Sequence, residues 1–139
     1  MQPTAIFAQM RPFREGGNLL SKVKTGGKVI IHNYGHGGAG VSLAPASGIE
    51  AVKLAEAENK TNIAIIGCGV VGLFTAKYFI EAYPKVPLMI YSERVPNLDE
   101  AKDNSKIITS QAAPGYWLPY AYGSDHKALH NHLTTVSLE

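Results

Sequence analysis

The chain has 139 residues, 45% of them hydrophobic and 17% charged, which suits one globular domain with its own core. Thirteen Lys and Arg against eleven Asp and Glu leave a net charge of +2, too small to mark a surface for nucleic acid or anionic membrane. The single cysteine, Cys68, excludes an internal disulfide; inside an apolar run it reads as a small buried hydrophobe, and a reducing, cytoplasmic compartment is expected.

Along the chain, the opening "MQPTAIFAQMRPFREGG" has no apolar stretch after a basic start, so no signal peptide is expected, and no apolar run nears the roughly 18 residues of a spanning helix. Residues 1–27 are broken by Pro3, Pro12, Gly16, Gly17, Gly26 and Gly27 and predict a loop with one short strand at most. "KVIIHNY" is β-branched and apolar and predicts a strand, ended by "GHGGAG". From Val41 to Asn59, Ile49, Val52, Leu54 and Ala55 fall near helical spacing, with Pro45 marking a first turn or a kink. After the linker "ENKTN", the apolar run "IAIIGCG" predicts a central parallel strand buried on both faces. "VVGLFTAKYFIEAYP" predicts a helix of about 14 residues stopping at Pro84, and "VPLMIYSE" a further strand. This alternation predicts an α/β fold, with "KVIIH" and "IAIIG" in one right-handed parallel sheet. The remainder is polar and mixed apart from "PGYWLPYAY", and its end, with His126, His130 and His132, reads as a frayed tail.

Gly67-x-Gly69-x-x-Gly72 follows a predicted strand and opens a predicted helix, the setting that a dinucleotide fingerprint requires. The first glycine serves a tight turn, the second a close backbone approach to pyrophosphate, and the third close packing of helix on strand. Glu93 lies 26 residues after Gly67, near the position of an acid that holds ribose hydroxyls. FAD and NAD share this pattern. A second glycine cluster, "HNYGHGGAGVSLAPASG", precedes it; its His32 and His36 read as surface or capped histidines, and no carboxylate or cysteine stands at metal-site spacing beside them.

Together the two stretches resemble the FAD-dependent D-amino acid oxidase family. "IAIIGCGVVGLFTAKYFIEAYPKVPLMIYSERVP" and "ITSQAAPGYWLPY" are similar to the family's opening, and "RPFREGG" with "VIIHNYGHGGAGVSLAPASG" to its closing part. The resemblance implies an α/β, Rossmann-like FAD-binding domain over residues 1–139, with 1–58 matching the family's C-terminal segment, 62–121 its N-terminal segment, and 122–139 a tail. It implies that Gly67, Gly69, Val70, Val71 and Gly72 take the pyrophosphate and Glu93 and Arg94 the adenosine end. Thr109, Ser110, Gly115 and Trp117 would line the rest of the FAD site. Gly37, Gly38 and Gly40 would lie against the flavin ring, with Ser42 donating to its pyrimidine oxygen, and Arg11 would grip the substrate carboxylate. The implied reaction is oxidative deamination of a D-amino acid, with hydride passing to flavin and oxygen as the final acceptor.

The order of the two segments is reversed relative to the family, an arrangement that circular permutation allows where chain ends lie close together. The family's long middle, with most of the substrate domain, has no counterpart in these residues. The sequence therefore predicts a segment or subunit of such an oxidase, paired with itself or with a complementary polypeptide through Tyr116, Trp117, Leu118, Pro119 and Tyr120. A non-catalytic nucleotide-binding or oligomerising module is the alternative, and an NAD-dependent dehydrogenase a third reading.

Overall fold

The computed structural model describes residues 8–96, 107–113 and 127–136. Chain order is β1 (Leu19–Thr25), β2 (Lys28–Tyr34), α1 (Gly40–Ala55), β3 (Ile63–Ile66), α2 (Val70–Ala82), β4 (Leu88–Tyr91) and α3 (Lys127–Val136). The architecture is mixed α/β, with a parallel pair β3–β4 and a separate antiparallel pair β1–β2. No helix among the described residues is long and apolar enough to cross a membrane. Trp117 and Gly115, with the aromatic cluster around them, and His126 lie outside the described residues.

The β1–β2 pairing corrects the expectation that "KVIIH" joins "IAIIG" in one sheet. Gly26 and Gly27 carry φ of +53° and +71°, the left-handed pair that a tight hairpin turn requires, so Thr25 pairs with Lys28 and Leu19 with Tyr34. A strand adjacent in sequence thereby takes the partner edge of β2. One hairpin face carries Leu20 and Ile31 onto the core of Ala51, Ala55 and Phe79.

Helix α1 buries Leu43, Ala44, Ala46, Ser47, Gly48 and Ala51 along one face. Pro45 falls inside the helix rather than in its first turn, where its missing N–H leaves the Val41 carbonyl without its ordinary donor. Helix α2 lies directly on α1 because Gly48 has no side chain: a Cβ there would sit 2.9 Å from Tyr78 Cδ2 and 3.1 Å from the Phe74 carbonyl carbon. The α1 C-terminus is tied by Lys60, whose ammonium donates to the carbonyls of Ala55 at 2.7 Å and Glu58 at 2.6 Å and lies over the Tyr83 ring. Glu58 in turn accepts from Lys22 and Lys24 of β1, so the link between the two motif-bearing segments is fastened to both.

In the parallel pair, Ile63 stands opposite Leu88 and Ile66 opposite Tyr91. Among the described residues only one face is covered: Ile65 is buried beneath α2, whereas Ile66 is 82% exposed and Met89 and Tyr91 stand open on the same side. The expected burial on both faces is therefore not found, because helices α1 and α2 form a single layer. The tail also differs from expectation. Leu129, Leu133 and Val136 recur at helical spacing and form α3, with Leu133 fully buried against Ala39, Leu43 and Ala46. His132 Nε2 lies 3.1 Å from Glu50 Oε1 at the rim of that contact.

Candidate functional site

The fingerprint forms the strand-to-helix turn that its spacing predicts. Gly67 ends β3 with φ of +105°, its N–H donating to the Tyr91 carbonyl at 2.8 Å, so the chain turns sharply while still held to β4. A Cβ on Gly72 would run into the Gly67 carbonyl oxygen, which is the close helix-to-strand packing assigned to the third glycine. Gly69 is the N-cap residue of α2, and among the described residues a Cβ there would meet only Ser110 Oγ, at 3.5 Å. That face of the turn is the one a ligand backbone could approach.

Ser110 reaches the same turn from far along the chain. Its hydroxyl accepts the Val70 N–H at 3.0 Å, which satisfies the first donor of α2. Helix geometry leaves the next two N–H groups, of Val71 and Gly72, without intrahelical acceptors, at the positive end of the helix dipole. These groups suit an anion such as a pyrophosphate.

The second glycine loop lies beside the first. A Cβ on Gly40, the first residue of α1, would lie 3.5 Å from Val70 Cγ1 and 3.8 Å from Val71 Cγ2, so the two helix N-termini are neighbours. Gly37 and Gly38 turn the chain with φ of +59° and +106°, and the Ala39 N–H donates to the His36 carbonyl at 2.9 Å. Ser42, in the first turn of α1, is buried rather than presented at the loop surface.

Residues 8–13 complete the arrangement. Thr109 Oγ1 donates to the Met10 carbonyl at 3.0 Å, Gln9 donates to the Ile107 carbonyl at 3.2 Å, and Phe13 bridges to His36. The Gly37 N–H points to the Pro12 carbonyl at 3.4 Å. Arg11 therefore stands between the glycine loop and the Thr109–Ser110 segment, with its side chain exposed. An open cleft of about 470 Å³ beside Gly67 is lined by Ile66, Tyr91, Ser92 and Glu93. Glu93 and Arg94 are both exposed at the end of β4.

The structure thus gathers Arg11, Gly37, Gly38, Gly40, Gly67, Gly69, Val70, Val71, Gly72, Thr109 and Ser110 around one end of the α1–α2 pair, with Glu93 at an adjoining cleft. His36 departs from its expected surface position. It is 3% exposed, and burial holds its imidazole at about 4 against an ordinary 6.5. Its Nε2 is buried without a hydrogen-bond partner, as are both polar side-chain atoms of Asn18. Asn18 carried no signal in the sequence beyond its position after two glycines. Cys68 is buried and free, as its apolar surroundings predict, and no cluster of metal-ligating residues occurs among the described residues.

Comparison of the chain with protein-family models, with characterised proteins and with solved structures finds no match.

Proposed function

We propose that this chain is a segment or subunit of an FAD-dependent oxidoreductase of the D-amino acid oxidase type, acting in a reducing, cytoplasmic compartment and completed by further sequence or a second polypeptide. The supporting observation is the pairing of two glycine loops at adjacent helix N-termini, one of them a strand-to-helix fingerprint turn with Gly72 packed on the Gly67 carbonyl. The residues fit an extended dinucleotide. Among the described residues the Gly69 face is open except for Ser110, and helix geometry leaves the Val71 and Gly72 N–H groups of α2 for an anion.

On this reading Gly67, Gly69, Val70, Val71 and Gly72 hold the pyrophosphate, and Glu93 with Arg94 the adenosine. Gly37, Gly38 and Gly40 lie at the flavin, with Thr109, Ser110, Gly115 and Trp117 along the rest, while Ser42 stays buried within the first turn of α1. FAD supplies, when bound, the two-electron acceptor that oxidative deamination requires. The chain's own contribution is binding and electrostatics: two helix dipoles directed at one region favour negative charge there, and the guanidinium fork of Arg11 matches a substrate carboxylate.

No wall for the amino acid side chain is built by the described residues, and loose positioning costs orders of magnitude in rate. The isolated chain is therefore expected to associate and to lack oxidase turnover. A second reading, a non-catalytic nucleotide-binding or oligomerising module, is favoured by the outer face of β3–β4, where Ile66, Met89 and Tyr91 are exposed, since parallel sheets are ordinarily covered on both sides. Sedimentation of the purified chain combined with a peroxide assay over a panel of D-amino acids tests the proposal. A stable monomer that turned them over at enzyme-like rates would contradict it.

A further inference from the structure

Asn33 is the asparagine of "HNYGHGG", and nothing in its sequence context gives it a role. In the fold it touches three elements at once. It stands on β2, two residues before Gly35, and its Nδ2 donates to the Ser47 carbonyl of α1 at 3.2 Å and to Thr75 Oγ1 of α2 at 3.1 Å. Thr75 Oγ1 in turn donates to the Val71 carbonyl at 2.7 Å, inside the first turn of α2. One amide group therefore joins the strand that enters the Gly37–Gly40 loop, the helix that leaves it, and the helix that leaves the Gly67–Gly72 turn.

The energetics of this brace point away from a role in stability. Asn33 Oδ1 is buried without a partner, which is unfavourable. Thr75 keeps its bond to Val71 without Asn33, and the Ser47 carbonyl keeps its place in the α1 ladder. An apolar side chain of similar size would remove the orphaned oxygen at little net cost. What such a side chain could not reproduce is the directional bond to both helices, next to the close contact of Gly48 with Phe74 and Tyr78. The Gly40–Val70 contact, where the two helix N-termini meet, lies toward the loop end of the same helix pair.

We propose that Asn33 is a positioning residue that holds the two glycine loops in register, so that one ligand can span both. This rests on the dinucleotide reading of the site. FAD would engage both loops, whereas ADP would engage the Gly67–Gly72 turn alone. Asn33 would then matter for the first ligand and not for the second.

The test is calorimetric titration of the full chain with FAD and with ADP, for the wild type, Asn33→Leu, Thr75→Val and Thr75→Ser. Asn33→Leu and Thr75→Val are expected to weaken FAD about tenfold and to leave ADP within about twofold, the scale of one or two lost hydrogen bonds, while Thr75→Ser stays near wild type. Hydrogen exchange without ligand gives an independent readout. Hydrogen-bonded amides in the turns of α1 around Ser47 and of α2 around Thr75 should exchange faster in Asn33→Leu, with β4 unchanged. Parallel weakening of FAD and ADP would make Asn33 a general structural residue and overturn the proposal, as would unchanged FAD affinity. If the wild type binds neither ligand, the dinucleotide reading fails, and the exchange comparison alone decides whether Asn33 couples the helices.

Discussion

His36 gives a stability prediction with a definite sign. Its imidazole is 3% exposed with no partner for Nε2, and burial lowers its pKa to about 4 from 6.5 in the unfolded chain. A depressed histidine pKa means that the unfolded chain binds the proton first as pH falls. The contribution of neutral His36 is present above the unfolded value and is lost as pH drops from 6.5 toward 4. At about 1.4 kcal/mol per pKa unit, the full loss is about 3 kcal/mol, of which about 2 kcal/mol falls between roughly pH 7 and pH 5. The carboxylates act lower. Hydrogen bonds from Lys22 and Lys24 hold Glu58 below the usual carboxylate range. At Glu50 the raising effect of burial is outweighed by Lys53 and His132. Urea unfolding of the wild type and His36→Phe across this window isolates the effect, since any constant packing change cancels in the slope. The wild type should lose about 2 kcal/mol more than the variant between roughly pH 7 and pH 5. Parallel curves would show that His36 protonates in the fold without cost, which a buried and unpartnered imidazole cannot do.

Two further perturbations separate packing from binding. Gly72→Ala places a methyl group against the Gly67 carbonyl, which is backbone and cannot swing away, and should cost about 1–3 kcal/mol of stability in denaturant titrations. Gly69→Ala meets, among the described residues, only Ser110 Oγ at 3.5 Å and should leave the unfolding midpoint nearly unchanged while weakening nucleotide binding. Leu133→Ala empties a fully buried position against Ala39, Leu43 and Ala46 and should cost about 2–5 kcal/mol of α3 docking, read as faster hydrogen exchange confined to residues 127–136.

The β3–α2–β4 unit was legible because its signals are local: apolar runs of strand length, helical spacing, a terminating proline and glycines whose roles are fixed by the turn itself. Residues 1–27 read as a loop with at most one short strand, which is β1, but its pairing is missed: two glycines between strand-like runs are also a hairpin signal, and reading Gly26 and Gly27 only as breakers overlooks it. The exposure of Ile66 is different in kind: its sequence neighbours match those of a strand covered on both sides, and what covers a sheet face is a long-range choice that no local pattern encodes. Within the site, the glycines of both loops were readable as backbone requirements. That Ser110 caps α2, that Thr109 ties to Met10, and that Asn33 bonds to α1 and α2 depends on contacts between residues 40, 99 and up to 42 positions apart, respectively. Such contacts leave no periodic trace in one sequence.

Flavin fluorescence and visible absorbance during titration with FAD, set beside an NAD titration of the same chain and of Gly69→Ala, test the dinucleotide assignment most directly. FAD should bind in preference to NAD, weakly or substoichiometrically in the isolated chain, and more weakly still in Gly69→Ala, where a methyl group enters the turn beside Ser110. Tight NAD binding without FAD binding, or FAD binding that Gly69→Ala leaves unchanged, would contradict that assignment.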